Sequence, residues 1–161
     1  MKCGKILSPM TGETVGLGEV PDPVFSQKII GDGMAVIPSE GKLLSPVDGE
    51  VISVADTKHA FGLRTAEGLE LLIHVGLETV HLKGECFQVF VKPGDKVKAG
   101  DRLLKFDADL ILERGFEKTC VLVLTNTDEF PDVTFHTGMS GEQNQTVVVS
   151  FLGTGGGASK R

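Results

Sequence analysis

Apolar residues in this chain come in short runs, and most runs are bounded by glycine, proline or Gly-Asp turns. Such runs read as strands rather than helices, because few extend far enough to give a helical stripe. The pattern predicts strands over Thr14–Leu17, Gly33–Pro38, Lys42–Leu44, Gly49–Val54, Ala60–Thr65, Glu70–Val75, Gln88–Val91, Arg102–Asp107, Thr119–Leu124 and Thr146–Phe151. Short helical turns are expected at Ser26–Ile30 and Asp109–Glu113, and nothing supports a long amphipathic helix. The expected fold is all-β: an antiparallel sandwich or barrel-like structure with a few helical turns. No internal linker interrupts it. Residues 1–152 are taken as one domain and the Gly-rich stretch 153–161 as a flexible tail.

One strand has two unlike faces. Between Glu70 and Leu77, the residues Leu71, Ile73, Val75 and Leu77 fall on one side, and Glu70, Leu72, His74 and Gly76 on the other. The aliphatic side belongs in the core, so His74 is aimed away from it. An imidazole held there titrates near neutrality and can serve as nucleophile or ligand.

His59 is the natural companion. If Thr57 and His59 lie on one strand, they share a face with Cα atoms about 6.6 Å apart. The Thr57 hydroxyl then reaches a ring nitrogen and fixes the aim of His59. The segment between His59 and His74 contains the turn-like Ala66-Glu67-Gly68, which suits adjacent antiparallel strands with the two rings face to face. Two solvated surface histidines would give the same spacing. His81 and His136 lie in polar, turn-rich contexts and read as surface residues.

A weak repeat is visible. Leu7-Ser8-Pro9-Met10-Thr11-Gly12-Glu13 is echoed by Leu44-Ser45-Pro46-Val47-Asp48-Gly49-Glu50. Duplication explains it, and so does a shared turn chemistry, since Pro and Gly favour such bends anywhere. The stretch Val91–Asp101, with two Gly-Asp turns around a short strand, has the style of small sandwiches that carry biotin or lipoate.

Charge and cysteines narrow the classes. A formal net charge of -6 argues against nucleic-acid and anionic-membrane binding, which need excess Lys and Arg. No apolar run approaches the ~20 residues of a membrane span, and the N-terminus has no apolar signal region. Cys3, Cys86 and Cys120 have no framework spacing and read as reduced thiols of a cytoplasmic protein.

The stretch Gly68–Val80 resembles the signature of the glucose-type IIA proteins of the bacterial sugar phosphotransferase system: Gly, two residues, three aliphatics, His, aliphatic, Gly, aliphatic, any residue, Thr, then Val or Ala. Every position agrees. Flanking segments are similar too: Glu19–Phe25, Ile30–Gly33, Thr57–Gly62 and Leu82–Glu85. The likeness runs from about Ile6 to Leu152. It implies an antiparallel β-sandwich in which His74 is phosphorylated on Nε2. His59 would lie across a shallow depression, oriented by Thr57. The donor would be the phosphorylated histidine phosphocarrier protein, and the acceptor a cysteine of a IIB domain. Val24, Phe25, Ile29, Ile30 and Leu72 would dock these partners, with Glu78 supplying a carboxylate where many members carry Asp. No cofactor would be required; zinc would bind His59 and His74 in partner complexes. The chain would be a monomer, either freestanding or a soluble domain of a permease, and it begins too close to the first core strand to hold an amphipathic N-terminal extension. Cys86 departs from the pattern, standing where Gly is common.

The chemistry fits the residue types independently. Imidazole is largely neutral at pH 7, and phosphoryl transfer is mostly positioning and charge stabilisation. No Gly-x-x-x-x-Gly-Lys-Ser/Thr loop is present, and a phosphohistidine donor needs none. Two other classes are weaker. A biotinyl or lipoyl carrier would use Lys58, but Met-Lys-Met and Asp-Lys-Ala contexts are absent. A zinc peptidase would need a third ligand, and neither His-x-His nor His-Glu-x-x-His occurs.

Overall fold

The computed structural model describes residues 3–130 and 132–152. The strands are β1 (Cys3–Leu7), β2 (Gly12–Gly16), β3 (Asp32–Pro38), β4 (Lys42–Leu44), β5 (Gly49–Val54), β6 (Ala60–Thr65), β7 (Glu70–Leu77), β8 (Phe87–Val89), β9 (Lys96–Val97), β10 (Arg102–Phe106), β11 (Glu117–Leu124), β12 (Val133–Phe135), β13 (Ser140–Gly141) and β14 (Val147–Leu152). Two short helices, α1 (Pro23–Ser26) and α2 (Ala108–Glu113), accompany three 3₁₀ turns at Leu17–Glu19, Thr79–Leu82 and Thr127–Glu129. The expected all-β, sandwich-like class holds. The tail 153–161 lies outside the described residues.

The main sheet has eight strands in the order β13-β2-β3-β11-β7-β6-β5-β9. Two three-stranded sheets, β1-β14-β12 and β4-β10-β8, complete the sandwich. Every ladder is antiparallel.

These ladders repeat each other. β2 pairs β3 with Gly12 opposite Pro38, and β5 pairs β6 with Gly49 opposite Thr65. β13 flanks β2 as β9 flanks β5. β14 lies between β1 and β12 as β10 lies between β4 and β8. The two Leu-Ser-Pro loops bond reciprocally: Leu7 N–H donates to the Pro46 carbonyl at 3.0 Å, and Leu44 N–H to the Pro9 carbonyl at 3.0 Å. Ser8 Oγ donates to the Met10 carbonyl at 2.6 Å and Ser45 Oγ to the Val47 carbonyl at 2.7 Å. Gln143 N–H donates to Thr11 Oγ1, and Ala99 N–H to Asp48 Oδ1. Shared turn chemistry would account for the serine bonds alone. It does not account for matching ladders, so the sequence echo marks a duplicated fold. One copy, β4–β10, is inserted between β3 and β11 of the other.

Alternation sets the layers. Met34 and Val36 on β3, Leu71, Ile73 and Val75 on β7, and Cys120, Leu122 and Leu124 on β11 point into the main core. Their neighbours Ala35, Leu72, Val121 and Val123 point the other way, where Leu17, Val20 and Phe25 cover them in a second, smaller cluster. The segment 17–31 that brings this cover joins β2 to β3. The matching connection in the other copy is only the hairpin loop 55–59.

Three expectations need correction. The helical turn expected at Ser26–Ile30 sits earlier, at Pro23–Ser26. Asp22 caps it by accepting the Val24 N–H at 3.0 Å, Pro23 opens it, and Lys28 at φ 58 closes it. Leu77 leaves the face of Leu71, Ile73 and Val75 and joins the second cluster. Gly76 at φ 76 and an irregularity between Glu117 and Cys120 of β11 turn the strand over at that point. Lastly, β1, β12 and β13 were not expected from the pattern; β13 is a two-residue edge, too short to alternate, whereas the equally short β9 is the strand expected between the two Gly-Asp turns.

Candidate functional site

His74 stands on the outer face of β7, opposite Ala60 of β6 and Val121 of β11. Its ring packs edge-on against Phe25 at 5.1 Å and against His59 at 4.7 Å, with the imidazoles nearly perpendicular at 80°. The two histidines expected as neighbours do meet, but edge to face rather than face to face, and with His74 on β7 and His59 in the loop that leads into β6. Thr57 and His59, however, do not share a strand. They lie in the hairpin loop between β5 and β6, and Lys58 between them adopts φ 67. That left-handed turn, rather than strand alternation, brings Thr57 Oγ1 to 2.7 Å from His59 Nδ1. The His59 carbonyl accepts the Val75 N–H at 2.7 Å, which ties the loop to β7 beside His74.

His74 Nδ1 lies 2.7 Å from the Gly76 carbonyl. A carbonyl only accepts, so Nδ1 carries the proton and Nε2 keeps its lone pair. Burial is the largest influence on this ring and lowers its pKa to about 4. The nearby His59 adds repulsion, against weaker opposing pulls from the Gly76 bond and the Asp22 carboxylate. Burial also lowers His59, partly offset by a hydrogen bond to the Thr57 backbone. Both rings are thus held neutral at pH 7, the form in which imidazole attacks phosphorus or binds a metal.

The residues proposed to meet partners divide by exposure. Val24 (43% exposed), Ile29 (67%) and Ile30 (38%) form an apolar patch on the segment 17–31. Phe25, at 5%, is not on that surface; it is buried under the segment and walls His74. Leu72 is half-buried against the second cluster. Glu78 is exposed at φ 59 and lines a hollow of about 270 Å³ with Asp22, Leu77, Phe116 and Glu117. A larger hollow of about 560 Å³, at Cys86, Gln88 and Lys105, includes neither histidine. His81 is exposed, whereas His136 is half-buried with Nε2 at 3.0 Å from Ser150 Oγ. Lys58 is exposed.

Among the described residues no group of three or more His, Cys, Asp or Glu side chains is placed to hold a metal ion. His59 and His74 alone offer two ligands, short of the four usual for structural zinc. Asp22 was missed in the sequence. The Asp22-Pro23 pair, a helix-start signal, could have marked it as a cap on the segment beside His74. That a backbone carbonyl holds the nucleophile's other nitrogen is expected from the chemistry alone; that it is the Gly76 carbonyl was not legible, because a backbone bond within two residues leaves no trace in side-chain periodicity. Among the described residues no helix is long and apolar enough to cross a membrane.

Comparison with known proteins bears on the family and the fold. Residues 4–130 match the family model for the phosphoenolpyruvate-dependent sugar phosphotransferase system, EIIA 1. The chain is 44% identical over 144 residues to a PTS system glucose-specific EIIA component of Bacillus cereus, covering 89% of this chain and 87% of that protein. It is 48% identical over 124 residues to a protein so named from Halalkalibacterium halodurans, covering 77% and 72% respectively. The glucose permease IIA from Mycoplasma capricolum superposes with a TM-score of 0.85 at 33% identity, over 93% of this chain and 96% of that one. The chain belongs to the EIIA 1 family of the phosphoenolpyruvate-dependent sugar phosphotransferase system.

Proposed function

We propose that the protein is a phosphoryl carrier for a glucose permease, with His74 as the phosphorylated residue. The observation that carries the reading is the bond from His74 Nδ1 to the Gly76 carbonyl, which leaves Nε2 free beside a second imidazole 4.7 Å away ring to ring. The donor is the phosphorylated histidine phosphocarrier protein. His74 Nε2 attacks its phosphorus, the donor's P–N bond breaks, and the His74 proton stays on Nδ1 under the Gly76 carbonyl. The acceptor is a cysteine thiolate of a IIB domain. A P–S bond forms, the P–Nε2 bond breaks, and His74 returns as neutral imidazole.

His59 stabilises the moving phosphoryl group. With Nδ1 2.7 Å from the Thr57 hydroxyl, the His59 tautomer protonated at Nε2 would offer its N–H to phosphoryl oxygens. Val24, Ile29 and Ile30 give partners an apolar footing, and the carboxylates of Asp22 and Glu78 suit a cationic rim on the donor. Zinc is a ligand of His59 and His74 only when a partner completes the set. The setting is the cytoplasmic side of the membrane. Relatives named as glucose-specific support the choice of sugar.

The test is onward transfer. Purified phosphoprotein is mixed with the IIB domain of a glucose permease, and phosphate on each protein is followed by mass. We expect the label to pass to the IIB cysteine; label that stays on this chain contradicts the reading.

A further inference from the structure

Thr79 makes no hydrogen bond to either histidine ring, yet it bonds the peptide that precedes the Gly76 carbonyl. It opens the 3₁₀ turn after β7 and has no exposed surface. Its hydroxyl donates to the Val75 carbonyl at 2.5 Å. Its methyl group lies against Gly76: a Cβ there would fall 2.4 Å from Thr79 Cγ2 and 2.9 Å from the Glu117 carbonyl oxygen. Gly76 is therefore left-handed at φ 76 and boxed in by a methyl group on one side and a β11 carbonyl on the other. Val75 is held at both ends, its N–H by the His59 carbonyl and its C=O by Thr79. With the Val75–Gly76 peptide held in this way, the next carbonyl, that of Gly76, turns back to His74 Nδ1.

We propose that the Thr79 hydroxyl is a positioning group that sets the tautomer of His74. The proposal rests on His74 being the phosphorylated residue. Without the hydroxyl the Val75 carbonyl loses a bond in a buried place and must turn toward another donor. Glycine, having no Cβ, gives the backbone least resistance to that turn. The Gly76 carbonyl then moves off Nδ1, and the proton is free to sit on Nε2. An Nε2–H ring has no lone pair there to offer phosphorus, so nucleophilicity falls even though every ring atom is still present.

Two substitutions separate the hydroxyl from the methyl group. Thr79→Val keeps the shape and the methyl contact but removes the donor. Thr79→Ser keeps the donor but removes the methyl group. The readout is the ¹H–¹⁵N spectrum of the imidazole nitrogens at pH 7, which assigns the tautomer with no phosphoryl donor present; phosphorylation by the phosphocarrier is followed in parallel. We expect wild type and Thr79→Ser to carry the proton on His74 Nδ1. Thr79→Val should show His74 shifted toward Nε2–H, the other histidines unmoved, and phosphorylation slowed ~10–100-fold, as when a group orienting a functional histidine is lost. A Thr79→Val protein with the wild-type tautomer and rate overturns the proposal. So does a Thr79→Ser protein as impaired as Thr79→Val, because the methyl contact would then be the cause. A Thr79→Val protein that no longer folds while Thr79→Ser does makes the hydroxyl a folding determinant and overturns the positioning role. Failure of wild type to accept phosphate on His74 would instead remove the reading on which the proposal rests, whatever the tautomer.

Discussion

At the residue scale, His74 and His59 are the same side chain given different work by their second nitrogens. His74 Nδ1 meets a carbonyl, which fixes a proton there; His59 Nδ1 meets a hydroxyl, which can donate. The first arrangement suits a nucleophile and the second a hydrogen-bond donor. His59→Gln should accordingly leave His74 able to accept phosphate while slowing transfer to the IIB cysteine ~10²–10³-fold, the usual loss for one electrostatic contact in a transition state. Rapid-mix assays of the two half-reactions decide; near-wild-type rates in both would make His59 a bystander. The depressed pKa of His74 carries a consequence for stability. Above 6.5 the ring is neutral in folded and unfolded chains alike. Between 6.5 and about 4 only the unfolded chain takes up the proton, so stability falls as the pH drops through that window. Urea denaturation should show wild type losing on the order of 1–2 kcal/mol more than His74→Gln between pH 7 and pH 5. Equal losses would mean that His74 titrates normally in the fold.

At the scale of elements, the site is a hairpin with one loop and one irregularity. The β6–β7 pairing fixes the separation of the two histidine-bearing segments, the Lys58 turn aims His59, and the Gly76 reversal aims His74. The hairpin was legible in the sequence because β6 and β7 alternate clearly around Ala66-Glu67-Gly68. The Lys58 turn was not, because a left-handed lysine has no compositional signature. Nor was the face of Leu77, since strand periodicity assumes a regular ladder and Gly76 breaks it. The Leu-Ser-Pro echo was legible as an echo; only the ladders show that it marks a repeat. That repeat makes a prediction about equivalent residues. Ser8 and Ser45 are both buried, and each donates to the carbonyl two residues on. Ser8→Ala and Ser45→Ala should each cost about 1–3 kcal/mol and agree to within about 1 kcal/mol, since each leaves one buried carbonyl without its partner. A large cost for one and none for the other, measured by urea denaturation, would show that the two loops are alike in shape but not in energetics.

At the scale of the molecule, the duplication shows why the candidate site lies on one copy. Val36 pairs Cys120 where Leu63 pairs Leu71, so counting along the strands sets Val123 opposite Gly33 as the counterpart of His74 opposite Ala60. Asp32 takes the place of His59 by the same count. Val123 is roofed by Leu17, Val20 and Phe25 from the long segment 17–31, whereas the short loop 55–59 leaves His74 at the rim with Phe25 as its wall. One copy's outer face became core, and the other's became a site bordered by an apolar patch and two carboxylates. The central claim is that this site carries phosphate on His74. It is tested most directly by incubating the protein with phosphoenolpyruvate, the general enzyme I and the histidine phosphocarrier protein, then measuring intact mass. Wild type should gain one phosphoryl group, labile to acid and stable to alkali as a phosphoramidate is, and His74→Ala should gain none. Undiminished labelling of His74→Ala would contradict the account.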